Sequence, residues 1–247
     1  MKYLLRVLVC FVLIVSPSAF GEEVSKAPQV FSEIACQFQT STHFKAGEKP
    51  DEQYDWLIWR SEREMEVYQV GTRDGEAWML DGAGGVMYAR ILHPERAEVL
   101  FNAMELRILG RPADWARCSS LVSPEILNGA LKEKGKQIHL GKEVKVFEGE
   151  IAAQKWIVLW SDEDQIAVSI EIESEKCISR TVLQERHELK MQPWERLRAR
   201  GYEQIGYTEL GDNDTDPRIK RIMSRMGIKC SHKGCSVVCL TPDPARN

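Results

Sequence analysis

Apolar and polar residues alternate along most of residues 30–187, and that period of two predicts β-strands. The first predicted strand is 35–44. The second, 54–60, is apolar on both sides, with Trp56 and Ile58 on one face and Leu57 and Trp59 on the other. A strand of that kind is covered on both faces. Residues 64–70 follow the polar corner Ser61-Glu62-Arg63 and complete a hairpin. Segments 76–80 and 86–92 flank Asp81-Gly82-Ala83-Gly84-Gly85, a second hairpin turn. The later half repeats the theme. Strand 143–148 lies between Gly141 and Gly149, and 155–160 sets Trp156, Val158 and Trp160 against Ile157 and Leu159. In 166–172 strict alternation puts Ile166, Val168, Ile170 and Ile172 on one face and Ala167, Ser169 and Glu171 on the other. The polar turn Asp162-Glu163-Asp164 joins these two, and 177–187 supplies a further strand.

Helical spacing is rarer. Ser123-Pro124-Glu125 opens a helix with a capping serine, proline at the first turn and an acid at the positive end of the dipole. Ile126, Leu127, Ala130 and Leu131 give it an apolar face, and Gly135 is positioned to end it. A second helix starts at Asp216-Pro217, carries Ile219, Ile222, Met223 and Met226 at helical spacing, and closes at Gly227. Residues 194–200 suggest a short third. Hairpin-ordered strands with one helical insertion around 102–135 predict an α+β fold. Its centre is a strongly curved antiparallel sheet, a half-barrel with a few helices packed on it.

Residues 1–21 change the setting. Lys2 and Arg6 precede an apolar run from Val7 to Val15, Ser16-Pro17 breaks it, and Ala19-Phe20-Gly21 supplies small residues at the −3 and −1 positions of a signal-peptide cleavage site. The run is too short to span a bilayer, which takes ~20 apolar residues. The expected product is periplasmic or secreted, with no transmembrane segment after cleavage. The expected organisation is a leader at 1–21, a half-barrel domain at 22–190, and a C-terminal extension at 191–247 with short helices and a Cys/His tail. Without Lys2 and Arg6, 31 basic residues face 37 acidic ones, a net charge of −6 that argues against nucleic acid as a partner.

Export also changes the cysteines. Of seven, Cys10 leaves with the leader, and Cys36, Cys118, Cys177, Cys230, Cys235 and Cys239 remain. In an oxidising compartment these are disulfide candidates, and six cysteines leave 15 connectivities open. Three lie in the body and three in the tail, so full internal pairing requires an odd number of bridges between the two. The tail has a second reading. Cys230, His232, Cys235 and Cys239 offer soft sulfur and imidazole ligands suited to zinc or copper. The Cys-x4-Cys-x3-Cys spacing is not a standard zinc pattern, and disulfide bonding is the favoured reading.

Four tracts carry a family resemblance: Trp56-Leu57-Ile58-Trp59-Arg60, Trp78-Met79-Leu80-Asp81-Gly82, Leu140-Gly141-Lys142-Glu143-Val144, and Trp156 to Asp162. Over roughly 30–190 they resemble the successive hairpins of LolA/LolB-type periplasmic lipoprotein carriers and of the sensor domain of RseB/MucB-type regulators. The resemblance implies a half-barrel, lipid binding and a place in outer membrane lipoprotein sorting or envelope signalling. It transfers no individual residue, since such proteins hold their ligands on diffuse apolar surface.

Catalytic patterns do not appear in the sequence. There is no G-x-S-x-G elbow and no phosphate-binding loop, and His187-Glu188 is followed by Met191 where a zincin needs its second histidine. The five histidines are scattered, and the many carboxylates read as a solvated face. Asp212, Asp214 and Asp216 alternate like a calcium loop, but Pro217 stands where glycine belongs and Met223 where the bidentate glutamate belongs. An acidic turn capping the next helix fits better. That helix has Arg218, Lys220, Arg221 and Arg225 on its polar side and is read as packed, with a solvated basic face. The expected function is therefore non-enzymatic: an exported binding or carrier protein that needs no cofactor. Trp56, Trp59, Trp78, Trp156 and Trp160 are the candidates for lining an apolar cleft. The partner would be an apolar small molecule, a lipid or an envelope protein. The alternative is a metal-binding or thiol-redox accessory protein acting through the tail.

Overall fold

The computed structural model describes residues 31–45, 50–72, 74–111, 113–213 and 215–227. The leader and the tail cysteines, with their disulfide and metal readings, lie outside the described residues. Among the described residues twelve strands form one sheet. The first half contributes β1 (Ile34–Phe44), β2 (Glu52–Arg60), β3 (Glu64–Gln69), β4 (Gly75–Leu80), β5 (Val86–Leu92) and β6 (Ala97–Phe101). The second contributes β7 (Leu131–His139), β8 (Lys142–Ile151), β9 (Gln154–Ser161), β10 (Ile166–Glu173), β11 (Cys177–His187) and β12 (Glu203–Gly206). Their order is β12-β6-β5-β4-β3-β2-β1-β11-β10-β9-β8-β7. Two meanders meet at the antiparallel β1–β11 pair.

One pair departs from the expected all-antiparallel sheet: β12 lies parallel to β6. The chain crosses the outer face after β11 and reaches β6 from that side, so residues 203–206 of the C-terminal extension add a strand to the same sheet. The strip from β6 to β7 has to pass from one end of the sheet to the other. It does so as three six-residue helices, α1 (Ala103–Ile108), α2 (Trp115–Ser120) and α3 (Pro124–Gly129). Two further helices, α4 (Glu209–Asp212) and α5 (Pro217–Arg225), follow β12.

Curvature follows from one contact pattern. Helix α2 touches both β4 and β10, which stand five places apart in the sheet. Laid flat, those strands would be ~24 Å apart, whereas six residues of helix extend only ~9 Å. The sheet must wrap around α2. The wrapped core joins Phe38, Trp56, Ile58 and Val67 from one meander to Trp156, Val158 and Ile170 from the other, beneath Trp115, Leu121, Val122 and Leu127. A second cluster sets Leu92, Val99 and Phe101 against Leu106, Ile205, Leu210, Ile219 and Ile222.

Local predictions differ from the structure where tertiary context intervenes. Ser123 caps α3 as expected, accepting from the Ile126 N–H at 3.3 Å. The helix ends at Gly129 rather than Gly135, because Leu131 already pairs with Gly149 in the sheet. Residues 194–200 form no α-helix; a 3-10 turn covers only Arg198–Arg200. In β10 the strict alternation fails. The register shifts between Ala167 and Ser169, so Ile166 shares a face with Ser169 while Ala167 joins Ile170. One extra residue in a strand reverses every side chain beyond it. Asp216 caps α5, its Oδ1 accepting from the Arg218 N–H at 2.6 Å. Asp214 lies outside the described residues.

Candidate functional site

Register assigns the inner, helix-covered face. Phe38 opposes Trp56, Thr40 opposes Tyr54 on β2 and Thr181 on β11, and Ile172 opposes Trp156. Toward the β2–β3 and β9–β10 turns this face is covered by α2, which touches β4 and β10 and whose Ser119 carbonyl accepts from Arg60. Toward the opposite rim it changes character. Thr42, Phe44, Tyr54, Cys177, Ser179, Ile172 and Ile151 are only half-buried there. The boundary is a hydroxyl relay: Trp56 Nε1 donates to Thr40 Oγ1 at 2.9 Å, and Thr40 shares a 2.8 Å hydrogen bond with Thr181 Oγ1. Trp56 is also stacked on Phe38, with ring centroids 4.8 Å apart. A half-open, largely apolar floor with a row of uncharged hydroxyls suits a ligand with an oily body and a polar end.

Around the same core are buried polar atoms with no partner among the described residues. On β9 they are Trp156 Nε1, a donor, and Gln154 Oε1, an acceptor; on α2 they are Trp115 Nε1 and Ser119 Oγ. Trp115 and Ser119 stand four residues apart, on one face of the helix. Leaving a buried polar group unmade costs about 1–3 kcal/mol. Trp156 Nε1 and Gln154 Oε1, at the half-open end of β9, mark a place where a bound group would gain hydrogen bonds that the described residues do not supply.

The five predicted tryptophans do not all share one face of the sheet. Trp56, Trp156 and Trp160 lie in the wrapped core, and Trp78 is half-buried against it, 4.5 Å from the Tyr88 ring. Trp59 is on the outer face, as the sequence pattern indicates, and its ring lies 3.4 Å beneath the Arg196 guanidinium. A shallow recess of about 400 Å³ lies elsewhere, between Glu95, Arg96, Tyr202, Glu203 and Arg218, and contains none of the five.

The reading of the carboxylates as a solvated face fails for four of them. Glu66, Glu98, Asp164 and Glu76 are at most 8% exposed. Each meets an arginine. Arg90 reaches Glu76 at 2.6 Å, and Arg186 donates from Nε and Nη2 to Asp164 Oδ1 at 3.0 and 2.7 Å. Arg60, fully buried, donates to the carbonyls of Ser32, Ser119, Gln165 and Asp164 and to Ser32 Oγ. Burial draws its pKa down to about 10, so it remains charged at neutral pH. On the outer face, residues 192–202 form a strap. Arg196 donates to Glu66 at 2.9 Å and to Glu64 at 2.7 Å, the Leu197 N–H donates to Glu66, and Arg198 joins Glu64 to Glu98. Leu197 fills a cluster with Ala77, Met79, Ala89 and Ile91. The approach is tight: a Cβ at Gly75 would stand 2.7 Å from Leu197 Cδ1. None of these pairs could be read from spacing, because Arg196 and Glu66 are 130 residues apart. The basic side of α5 is likewise engaged rather than free. Arg218 meets Glu203, Arg221 meets Glu95, and Arg225 meets Asp74 at 3.1 Å.

Among the described residues Cys36, Cys118 and Cys177 are free thiols. Burial pushes the Cys36 and Cys118 thiols up to about 12, with nearby Asp164 and Asp114 adding to the shift. Both are expected to resist iodoacetamide at pH 8 in the folded protein and to react once urea unfolds it, as read by peptide mass spectrometry. Their contribution to stability is complete below their ordinary value near 9. It is lost as pH rises toward about 12, because the unfolded chain releases protons that the folded one retains.

No protein-family model matches the chain, and no curated protein matches it. Solved structures similar to it include PNGF-II, at 7% identity over 73% of this chain and 33% of that one, TM-score 0.41. The chain thus spans about a third of the length of PNGF-II. They also include the Pseudomonas aeruginosa MucA/MucB complex, at 11% identity over 63% of this chain and 52% of that one, TM-score 0.34. A third is the LolA superfamily protein NE2245 from Nitrosomonas europaea, at 9% identity over 67% and 90%, TM-score 0.31. The last two belong to the groups that the hairpin tracts resemble.

Proposed function

We propose that this chain is an exported, non-enzymatic binding or carrier protein that holds an apolar ligand with a polar end on the inner face of its sheet. The observation that carries this reading is the half-open floor around Tyr54, Phe44, Ile172 and Ile151, bordered by the unpartnered Trp156 Nε1 and Gln154 Oε1. The apolar body of the ligand covers the floor, and its polar end takes the indole N–H and the hydroxyl row. Short helices α2 and α3, joined by loops, are the part of the cover with the least structure of its own to open. Export rests on the leader at 1–21 and is tested by N-terminal sequencing of protein recovered outside the cytoplasm.

The binding test uses a dansyl-labelled undecanoic acid and the fluorescence of the protein's own tryptophans. Saturable energy transfer is expected, and Trp156→Phe, which keeps an aromatic ring but removes the N–H and part of the side-chain volume, should weaken it about fivefold or more, at least the worth of one hydrogen bond. Absence of saturable transfer, or equal affinity in Trp156→Phe, rejects the assignment.

A further inference from the structure

Given the binding reading above, on which this rests, the chemistry of the ligand's polar end follows from two atoms and the charges around them. Trp156 Nε1 only donates, and Gln154 Oε1 only accepts. Both are buried without a partner among the described residues, and Trp156 is 6% exposed. They stand two residues apart on β9, so both side chains project from the face that carries Ile172 and Ile151, their neighbours in register. A group that satisfies both must accept from the indole and donate to the amide oxygen. A carboxylate or an ester only accepts, and an ammonium only donates. A primary amide or a hydroxyl does both.

The charges on this face point the same way. Toward the half-open rim, no lysine, arginine or histidine falls in register on the inner face of β1, β2, β8, β9, β10 or β11 among the described residues. The acid Glu52 does, opposite Thr42. Arg180 falls on the outer face, opposite Glu171, and Lys45, beyond the end of β1, is taken up by Glu173 at 2.7 Å. An anionic end would lose its water here, find no counter-charge and meet Glu52. We propose that the ligand of this floor is a long-chain lipid with an uncharged end that both donates and accepts, a primary amide or a hydroxyl, and that fatty carboxylates are selected against. The chain covers the apolar floor, and the end group bridges Trp156 Nε1 and Gln154 Oε1. A site with a buried donor and acceptor to satisfy discriminates strongly against ligands that leave one of them unmet.

The test displaces the dansyl-labelled undecanoic acid from the full chain at pH 8 with decanamide, methyl decanoate and decanoate, each below its micelle concentration. Decanamide should displace the probe about tenfold better than decanoate, which has nearly the same shape, and about fivefold better than methyl decanoate. Partition out of water alone ranks the ester above the amide, so an amide that binds more tightly reads the donor–acceptor pair. Gln154→Met keeps the length of the side chain and removes the acceptor. It should bring decanamide down to the level of the ester and leave the ester where it was. Because the oxygen it removes is buried without a partner, its thermal melt should be no lower than the parent's. Decanoate binding as tightly as decanamide, or an amide preference that survives Gln154→Met, overturns the assignment of the end group while the binding reading stands. No saturable transfer from the probe in the parent chain rejects the binding reading and this assignment with it.

Discussion

Arg60→Met lowers stability by about 3–5 kcal/mol, read as a drop in the urea midpoint at pH 7. The side chain is fully buried, and its guanidinium bonds four carbonyls from three separate parts of the chain: the entry to β1, α2, and the β9–β10 turn. Methionine fills much of the volume and supplies no donor. Four carbonyl oxygens then lose a partner inside the core, each at a cost that exceeds the net worth of an ordinary hydrogen bond. Arg60→Lys is expected to recover less than half of the loss. An ammonium is a point donor on a flexible stem and cannot reproduce a planar fork that reaches Ser119 and Asp164 together. A midpoint within about 1 kcal/mol of the parent for Arg60→Met would show that α2 is not held to the sheet through this residue.

Arg196→Ala is the second large effect, at about 3 kcal/mol, with a signature of its own. Glu66 is fully buried, and Arg196 supplies two of its hydrogen bonds, leaving only the Leu197 N–H when it is removed. Burial already holds the Glu66 carboxyl above its ordinary range, with Arg196 opposing that shift. Loss of the arginine raises the pKa further. A carboxyl whose folded pKa is raised stabilises most below its unfolded value, near ~4.3, and loses that contribution as pH rises. The variant should therefore regain part of its stability between pH 7 and pH 5. Trp59, uncovered by the loss of its guanidinium lid, should shift its fluorescence to the red. Limited proteolysis should cut within 188–202, where the parent is protected. Resistance of that segment in the variant would mean that Leu197 alone holds the strap.

These two residues show where the sequence is silent. The period-two pattern locates β1 to β5 and β8 to β11, because each of these strands buries at least one face and burial writes alternation into the chain. The pattern misses β7, which reads as the end of a helix: seven consecutive exposed residues leave no apolar face to alternate. It also misses β12, four residues long and decided by docking on β6. The opposite orientations of Trp56 and Trp59 are legible, and so is the cap at Asp216. The unpartnered Trp156 N–H is not, since it depends on what fails to arrive from the rest of the molecule. Glu66 and Arg60 look like surface charges because their partners are supplied by distant segments.

The seam between the two meanders has a consequence for how the molecule is made. β1 lies in the middle of the finished sheet, yet Ala35 finds its partner on that side only when His187 exists. The side chains joined across the seam by Thr40 and Thr181 are 141 residues apart. A chain emerging from the ribosome therefore carries a naked, sticky strand border for most of its synthesis, with closure deferred to nearly the last β-hairpin. Pairing over that separation is slow. Under the export proposed above, that slowness is an advantage, because a polypeptide threaded unfolded through a membrane then makes its last pairing on the far side.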